Sequence, residues 1–436
     1  MVDLSFDVLQ MVVDELGSEA PPDFATLETL SQTCRYLLPL CRRHIFFSVW
    51  PHTRIMGSNL RHPAHASVTS EASNRCSKHI GVENLSKLLE SSPEIAGYIR
   101  ELKLYPHPSN SDDDMLLQFL QRVDRLQKLI IAHFLFATPF FRFQNWGSLP
   151  SPLQEALFDL VRRQRYTLKH LVIADHTDIP MSIIFPSTCL HSLHLIDSYF
   201  SATAIAEDAH GIFHPRPLEM RTMAFTSGYH SVRSFFEGVR PGSGAPFFDL
   251  SGLRTFYATA SGTGDEALAI AKLVKGMAQL KTVNISCLRH SIPVNMADIL
   301  NAIHPSSFST ILTLSVQTWY TDFYNLSLLQ LPSVVLRKVT RPFRSLKNLI
   351  ISFSVQFPIP DDLAQSVTAD FKELDNFIVT KYLQLESLAI FPSFYDVNTT
   401  NDGTNDLGLW LNIPNLMPRS SANPALRYSF TSKIVS

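Results

Sequence analysis

The chain has 436 residues, of which 45% are hydrophobic and 17% are charged. This composition excludes a largely disordered protein, which would be more polar and more highly charged. The 37 basic and 39 acidic residues give a formal net charge of -2, so the overall charge does not favour a nucleic-acid partner. The length favours two or three domains or one elongated array of repeats.

Cysteine usage and hydropathy restrict the compartment. The five cysteines are scattered and include no C-x-x-C pair, so neither a disulfide framework nor a zinc ribbon is predicted. No stretch of 18 apolar residues is present and no basic residue precedes Arg35, so neither a membrane span nor a signal peptide is predicted. We therefore expect a cytoplasmic or nuclear protein with no membrane partner, no metal and no cofactor.

Helical spacing dominates the first fifty residues. Apolar residues recur on one helix face at Val8, Leu9, Val12, Val13 and Leu16. A break over residues 18–23 precedes a second apolar pattern over 27–38. Pro39 interrupts that pattern, and a third short helix is predicted to carry Leu40, Ile45 and Phe46.

Charge is segregated in the same region. Residues 1–28 hold seven acids and no bases, whereas residues 29–70 hold five arginines and no acids. Such asymmetry is typical of a docking surface, and a solvated helix face is the alternative.

A second pattern begins near residue 98. The unit reads apolar-x-x-apolar-x-apolar, and its ten copies start 22 to 42 residues apart. Most copies carry a basic residue or His directly after the first apolar position, among them Arg100, Lys169, His191, Arg254, Lys281 and Lys347. The alternating end of each copy predicts a short strand with one buried face, at Leu102/Leu104, Leu129/Ile131, Leu171/Ile173, Leu193/Leu195, Met223/Phe225, Phe256/Ala258, Val283/Ile285, Leu314/Val316, Leu349/Ile351 and Leu388/Ile390.

Helical stretches separate these strands, at residues 115–123, 153–163, 265–277 and 363–379. A strand with its helix cannot bury its apolar face alone, whereas stacked copies can. The predicted fold class is therefore α/β, a short helical segment followed by an irregular leucine-rich-repeat-like solenoid. A closed α/β domain with a parallel sheet is the competing interpretation. The predicted domains are a helical domain at 1–50, a linker with partial helix at 51–92, the solenoid at 93–392, and a C-terminal cap with a loosely ordered tail at 393–436.

The stretch from Leu4 to Val12 reads Leu-Ser-Phe-Asp-Val-Leu-Gln-Met-Val. It resembles the start of an F-box, where the family usually reads Leu-Pro-x-Glu-(Ile/Leu)-(Leu/Ile)-x-x-Ile, although Ser5 stands in place of the proline. The stretch from Leu27 to Leu37 is similar to the second part of that motif, and residues 44–50 are similar to its closing helix. Together with the repeats, these stretches make the chain resemble fungal F-box proteins with a leucine-rich-repeat-like body.

The resemblance implies a receptor that performs no bond chemistry. F-box proteins are the substrate receptors of cullin–RING (SCF-type) ubiquitin ligases: the F-box binds a Skp-type adaptor, and the second domain holds a target protein. The residues that the resemblance assigns to the adaptor-binding or core surface are Leu4, Val8, Leu9, Val12, Leu30, Cys34, Leu37 and Phe46. We expect Leu16, Leu27 and Cys34 to serve as packing and Leu4, Val8 and Leu9 to face the adaptor, because so small a unit leaves apolar surface uncovered.

Target contacts are expected on the sheet face opposite the core. The residues that flank the second apolar position of the unit point to that face. These candidates, each of which could equally belong to a solvated face, are Lys103, Lys128, His170, His194, Tyr257, Asn284 and Ser315.

Two other functions stay open at this stage. Residues 262–267 read Gly-Thr-Gly-Asp-Glu-Ala, which fits the G-x-G-x-x-A pattern of a dinucleotide-binding enzyme. Asp265 and Glu266 would stand where the pyrophosphate needs free amides, which favours an ordinary helix start. A repeat scaffold that acts without ubiquitination is the third possibility.

Overall fold

A computed structural model describes the protein over residues 6–19, 22–52, 78–106, 114–133, 144–184, 186–201, 218–226, 248–260, 264–287, 296–319, 332–357, 361–396, 415, 417–431 and 433–435. The chain forms two compact units, the first comprising residues 1–191 and 200–216 and the second residues 192–199 and 217–436. Both are α/β with parallel strands. Over these stretches, no helix combines the length and the apolar character needed to cross a bilayer.

The first unit begins with three helices and continues with strands and helices. Its α-helices are α1 (Phe6–Ser18), α2 (Phe24–Thr33), α3 (Leu37–Ile45), α4 (Val82–Ser91), α5 (Asp114–Arg122) and α6 (Ser151–Arg163), with 3-10 helices at Pro93–Tyr98, Trp146–Ser148 and Met181–Ile183. Its strands are β1 (Ser48–His52), β2 (Lys78–Gly81), β3 (Glu101–Leu104), β4 (Lys128–Ala132), β5 (Gln144–Asn145), β6 (His170–Ala174) and β7 (His176–Thr177). They form a parallel sheet of order β2-β1-β3-β4-β6 and a separate pair, β5-β7.

The second unit consists of strands joined by helices or loops. Its strands are β8 (Ser192–Ile196), β9 (Leu218–Glu219), β10 (Thr222–Thr226), β11 (Phe248–Asp249), β12 (Thr255–Ala260), β13 (Thr282–Cys287), β14 (Thr313–Trp319), β15 (Asn348–Phe357), β16 (Ser387–Asp396), β17 (Arg427–Phe430) and β18 (Lys433–Val435). Its helices are α7 (Gly264–Val274), α8 (Met296–Ala302), α9 (Pro332–Arg337), α10 (Asp361–Lys381) and α11 (Pro418–Ser421), with a 3-10 helix at Pro305–Ser309. The sheet runs β8-β10-β12-β13-β14-β15-β16-β17, β18 also pairs with β16, and β9 pairs with β11.

All ten strands predicted from the apolar repeat are present, as β3, β4, β6, β8, β10 and β12 to β16. Both apolar residues of every predicted pair are buried. The four predicted helices correspond to α5, α6, α7 and α10. The alternation therefore identified both the strands and their buried face, because one side of each strand packs on its helices.

Many of the strands are tied to a neighbour at their entry by one shared carbonyl. The carbonyl oxygen of Arg100 accepts the amides of Gln127 and Lys128 at 2.7 and 2.9 Å. In the second unit the carbonyl oxygen of Arg254 accepts the amides of Lys281 and Thr282 at 2.8 and 3.0 Å. The residue after the first apolar position thus aligns from strand to strand, which explains why the basic residues noted there recur at one place in the fold.

Buried polar side chains add a second tie between adjacent copies. Gln164 is 1% exposed; its side-chain amide donates to the carbonyl of Val123 at 2.8 Å and accepts from the amide of Leu126 at 2.9 Å. Ser307 has the same role in the second unit, donating to the carbonyl of Met277 at 2.6 Å and accepting from the amide of Leu280 at 3.1 Å. Each side chain satisfies buried backbone groups in the loop that enters a strand of the preceding copy.

The start of the chain differs from the expectation at α3 and at the first two strands. Pro39 does not end a helix: it lies in the first turn of α3, where its missing N–H costs no helical hydrogen bond. The predicted closing helix over 44–50 ends at Ile45, and β1 follows. Within the segment expected to be a linker, β2 pairs in parallel with β1.

The end of the chain also differs from the expectation. A loosely ordered tail is expected within residues 393–436, yet this part of the chain includes α11, β17 and β18. Asp375 on α10 is 2% exposed, and its two carboxylate oxygens accept the amides of Ser420 and Arg419 at 2.7 and 2.9 Å. This carboxylate satisfies the first turn of α11 and attaches the end of the chain to the second unit.

Candidate functional site

The outer face of α1, which we define as Val8, Met11 and Val12, exposes apolar side chains to solvent. Their exposed fractions are 40%, 70% and 47%. Residues spaced i, i+3 and i+4 are neighbours on a helix surface, so the three side chains form one patch. On the opposite side of α1, Val13 and Gly17 are buried against the rest of the helical segment. The helix therefore has apolar residues on a face that no described residue covers fully.

The remaining residues expected at an adaptor surface are not equally accessible. Leu9, Leu30 and Cys34 are half-buried, and Leu4 lies outside the described residues. Leu37 and Phe46 are only 5% and 8% exposed. As adaptor-binding residues these two are corrected: Leu37 packs on the inner face of α3 and Phe46 packs at its end, so both belong to the core. Leu27 is fully buried, as expected for packing.

A close contact between α1 and α3 holds the outer face in place. His44 Nε2 lies 2.7 Å from Asp14 Oδ1, and Arg43 Nη2 donates to the same oxygen at 2.6 Å. The hydrogen bond with His44 is the main reason that the pKa of Asp14 is lowered from its usual value, despite some desolvation. A Cβ atom on Gly17 would lie 2.2 Å from His44 Nδ1, so only glycine leaves room for the imidazole ring beneath α1.

Ion pairs and backbone bonds attach the helical segment to the strands that follow. Arg42 on α3 donates to Glu94 in the first 3-10 helix at 2.6 Å, and Lys78 on β2 pairs with Glu28 on α2. The carbonyl of Phe47 accepts the amides of Arg100 and Glu101, both at 2.9 Å. The helices and the first strands thus form one continuous structure, in which the end of α3 leads directly into β1.

Four of the expected target contacts lie in one row across the second unit. The Cα register aligns His194 with Ala224, Tyr257, Asn284 and Ser315 on five strands from β8 to β14. His194, Tyr257 and Asn284 are half-exposed. Ser315 is only 8% exposed because its short side chain lies between the larger Asn284 and Ile350. The expectation that Ser315 contacts a target directly is therefore corrected, because the residue is buried.

The other three expected target contacts lie in the first unit, where two of them share a row and the third does not. Lys128 aligns with Glu101 and His170, whereas Lys103 aligns with Ile130. Lys128 lies between strands on both sides and is only 8% exposed. It too is therefore corrected from a contact to a buried residue. Lys103 and His170 are half-exposed. The pKa of His170 is lowered, first by burial and then by the charge of Lys128.

A buried histidine in the first unit escaped prediction. His176 on β7 is fully buried, with its ring centroid 5.8 Å from that of Trp146 and 6.3 Å from that of His133. Burial, and secondarily the charge of His133, lowers the pKa of His176 to about 3. These residues come from three separate segments with no common spacing, so the sequence contains no signal for this cluster.

The Gly-rich stretch at 262–267 begins outside the described residues, which resume at Gly264, the first residue of α7. Asp265 and Glu266 lie in the first turn of α7, and Glu266 is fully buried. Two acids at a helix N-terminus satisfy its dipole themselves and disfavour a bound pyrophosphate. Across the part of the chain that the structure describes, no group of three or more His, Cys, Asp or Glu residues is placed to hold a metal ion.

Neither a protein-family model nor a curated protein matches this chain. The functional assignment below therefore depends on the sequence motifs and on the geometry of the two regions just described.

Proposed function

We propose that the protein is the substrate receptor of an SCF-type cullin–RING ubiquitin ligase, in which α1 to α3 act as an F-box and the strand-and-helix copies act as a leucine-rich-repeat-like solenoid. The outer face of α1 is the observation that carries this proposal. Val8, Met11 and Val12 leave 40–70% of their surface in water, although α1 could have carried polar residues at these positions at no cost to packing.

A partner that covers these exposed apolar side chains would gain binding free energy from their burial. Covering an exposed Val or Met side chain contributes on the order of 1 kcal/mol or more, so the three side chains together supply a substantial part of a specific interface. The close contact of Asp14, Gly17 and His44 holds α1 rigidly on α3. A rigid surface binds with less loss of conformational freedom, which favours a preformed docking face.

The proposed mechanism is one of proximity. The adaptor holds the receptor on the cullin scaffold, and the sheet of the receptor holds a target protein. Bringing target lysines close to a charged ubiquitin-conjugating enzyme raises their effective concentration, so the receptor needs no catalytic residue. The half-exposed row formed by His194, Tyr257 and Asn284 is the proposed centre of the target surface.

Co-purification with a Skp-type adaptor tests the proposal. Full-length protein should retain the adaptor, and the double variant Met11→Asp/Val12→Asp should lose it. Leu268→Asp on α7 is the matched control, because Leu268 is 56% exposed and lies in the second unit. Point variants are preferable to removal of residues 1–49, which would also delete the carbonyl of Phe47 that β3 needs at its entry.

Absence of the adaptor from a folded full-length protein would contradict the receptor function. The chain would then be better described as a repeat scaffold that acts without ubiquitination. Equal loss by the double variant and by Leu268→Asp would show that the variants act through stability, and the outer face of α1 would no longer support the proposal.

A further inference from the structure

A row of cations crosses the strand-entry edge of the second unit. Arg221, Arg254 and Lys281 directly precede β10, β12 and β13, and all three are exposed. We call these three residues the basic column. Each is followed by a threonine, and Thr222, Thr255 and Thr282 are aligned by the parallel register of the three strands.

Backbone hydrogen bonds align the three residues of the basic column. The carbonyl of Arg221 accepts the amides of Arg254 and Thr255 at 2.9 and 3.0 Å, and the carbonyl of Arg254 accepts those of Lys281 and Thr282. Neighbouring strands lie about 4.8 Å apart. The backbone positions of the three cations therefore lie within roughly 10 Å of one another along the edge, and each is followed by one of the aligned threonines.

The basic column has little internal compensation. Among the described residues none of its three cations forms an ion pair, whereas Lys347 at the same position before β15 pairs with Glu386 at 2.6 Å. Among the described residues, acids near this edge include Glu219 on β9 and Asp249 on β11, which are aligned with each other, and Glu386 directly before β16. The three cations of the basic column are aligned like charges on adjacent strands, which destabilise a sheet slightly. A ligand that neutralises these cations relieves that repulsion when it binds.

Further bases extend the column in one direction. Residues 337–347, which lead into β15, contain five bases and no acid. Arg344 in this stretch is exposed, and its backbone amide donates to the carbonyl of Phe308 in the preceding copy at 3.1 Å. The edge thus carries bases before β10, β12, β13 and β15, of which Lys347 before β15 is paired with Glu386, and Leu312 interrupts the row before β14.

We propose that the basic column binds an acidic segment of a partner protein, with carboxylate or phosphate oxygens on the guanidinium and ammonium groups and hydrogen bonds from the threonine hydroxyls. This inference rests on the proposed function, in which that partner is the target. A helical segment with acids one turn apart repeats every 5.4 Å, close to the strand spacing. A protein partner is favoured over nucleic acid because the chain has a net charge of -2 and the column spans only three strands.

Fluorescence anisotropy with full-length protein tests the inference. The probes are a labelled 12-residue Glu-rich peptide, the same peptide with Gln in place of Glu, a phosphoserine peptide of equal charge, and a 12-nucleotide single-stranded DNA. We expect the two acidic peptides to bind at low salt, with affinity that falls as salt rises, and the neutral peptide and the DNA to bind at least tenfold more weakly. Preference between the two acidic peptides identifies carboxylate or phosphate as the natural group.

Variants locate the binding to the column. Arg254→Glu/Lys281→Glu should weaken binding of the preferred peptide at least tenfold. If that variant folds poorly, the milder Arg254→Gln/Lys281→Gln replaces it and should still weaken binding measurably. Arg125→Glu/Lys372→Glu changes two exposed bases elsewhere and should stay within twofold of the wild type.

Three outcomes would overturn the inference: no binding of either acidic peptide, equal loss in the control variant, or tighter binding of the DNA. The column variants should still co-purify with the Skp-type adaptor. The peptide assay contains no adaptor, so the two tests are independent. Failure to bind the adaptor would count against the receptor function alone, and failure to bind the peptides would count against the basic column alone.

Discussion

Apolar side chains differ in exposure between two regions of the protein: the helical segment α1 to α3, and the strand-and-helix copies that follow it. On α1, Val8, Met11 and Val12 remain substantially exposed. In the ten strands identified by the repeat, both apolar positions of every pair are buried. The helical segment is joined by partly exposed ion pairs such as Asp14 with Arg43, whereas the copies are joined by buried hydrogen bonds through Gln164 and Ser307.

The two regions therefore differ in how much their polar contacts contribute to the stability of the fold. Exposed ion pairs contribute little, typically below 1 kcal/mol each, so the helical segment gains little stability from its charges, and it leaves apolar surface exposed on α1. Buried polar side chains with satisfied hydrogen bonds are far more costly to remove. We therefore expect large stability effects in the copies and small ones in the helical segment, where the effects on binding should dominate.

Loss of the Asp375 carboxylate should have the largest effect on stability. Asp375→Ala leaves the buried amide of Ser420 and the partly buried amide of Arg419 without their acceptor. It should lower the free energy of unfolding by about 3 kcal/mol, measured by urea denaturation. Glu373→Ala is the control on the same helix. Its ion pair with Arg337 is exposed, so its effect should stay below about 1 kcal/mol; similar losses in both variants would refute the role given to Asp375.

Protonation of His176 should have the next largest effect. Its pKa is about 3 in the folded protein and 6.5 ordinarily. Between these values the unfolded chain binds a proton that the folded chain does not, so stability is complete above pH 6.5 and declines as the pH falls towards 3. The slope attributable to His176 is at most about 1.4 kcal/mol per pH unit. Urea denaturation at pH 7 and pH 5 should show a smaller difference for His176→Gln than for the wild type, and an unchanged difference would contradict a buried neutral imidazole.

Gly17→Ala should have the smallest of the three effects and the most diagnostic sign. Alanine at an unhindered helix position stabilises by up to about 1 kcal/mol relative to glycine. At Gly17 the new Cβ would lie 2.2 Å from His44, so we expect destabilisation of about 1 to 2 kcal/mol. Gly97→Ala serves as the control, because nothing lies within 4 Å of its Cβ position. Stabilisation by Gly17→Ala would show that α1 does not pack tightly on His44.

The sequence predicts the strands well because their signal is local. A pair such as Leu349 and Ile351 alternates on one strand, so burial on one face is visible in a few residues. The short strands β1 and β2 give no such signal: β1 contains Pro51, and β2 reads Lys-His-Ile-Gly. They are strands because they pair with each other and β1 pairs with β3, a long-range condition that no local pattern contains.

The candidate site was predictable only in part. Helical spacing identified Val8 and Val12 as members of α1, but the same spacing fits a buried face and an exposed one. The burial of Leu37 and Phe46 depends on how three helices pack, and that of Lys128 depends on the neighbouring strands. The contact between Asp14 and His44 joins residues 30 positions apart and has no periodic signature.

The most direct test of the receptor function is the affinity of full-length protein for a Skp-type adaptor, measured by calorimetric titration alongside Met11→Asp/Val12→Asp and Leu268→Asp. We expect the wild type and Leu268→Asp to bind equally, and the double variant to bind at least tenfold more weakly while its free energy of unfolding changes by no more than about 1 kcal/mol. Equal binding by all three proteins, or no binding by a folded wild type, would contradict the assignment of the outer face of α1 as the adaptor-binding surface.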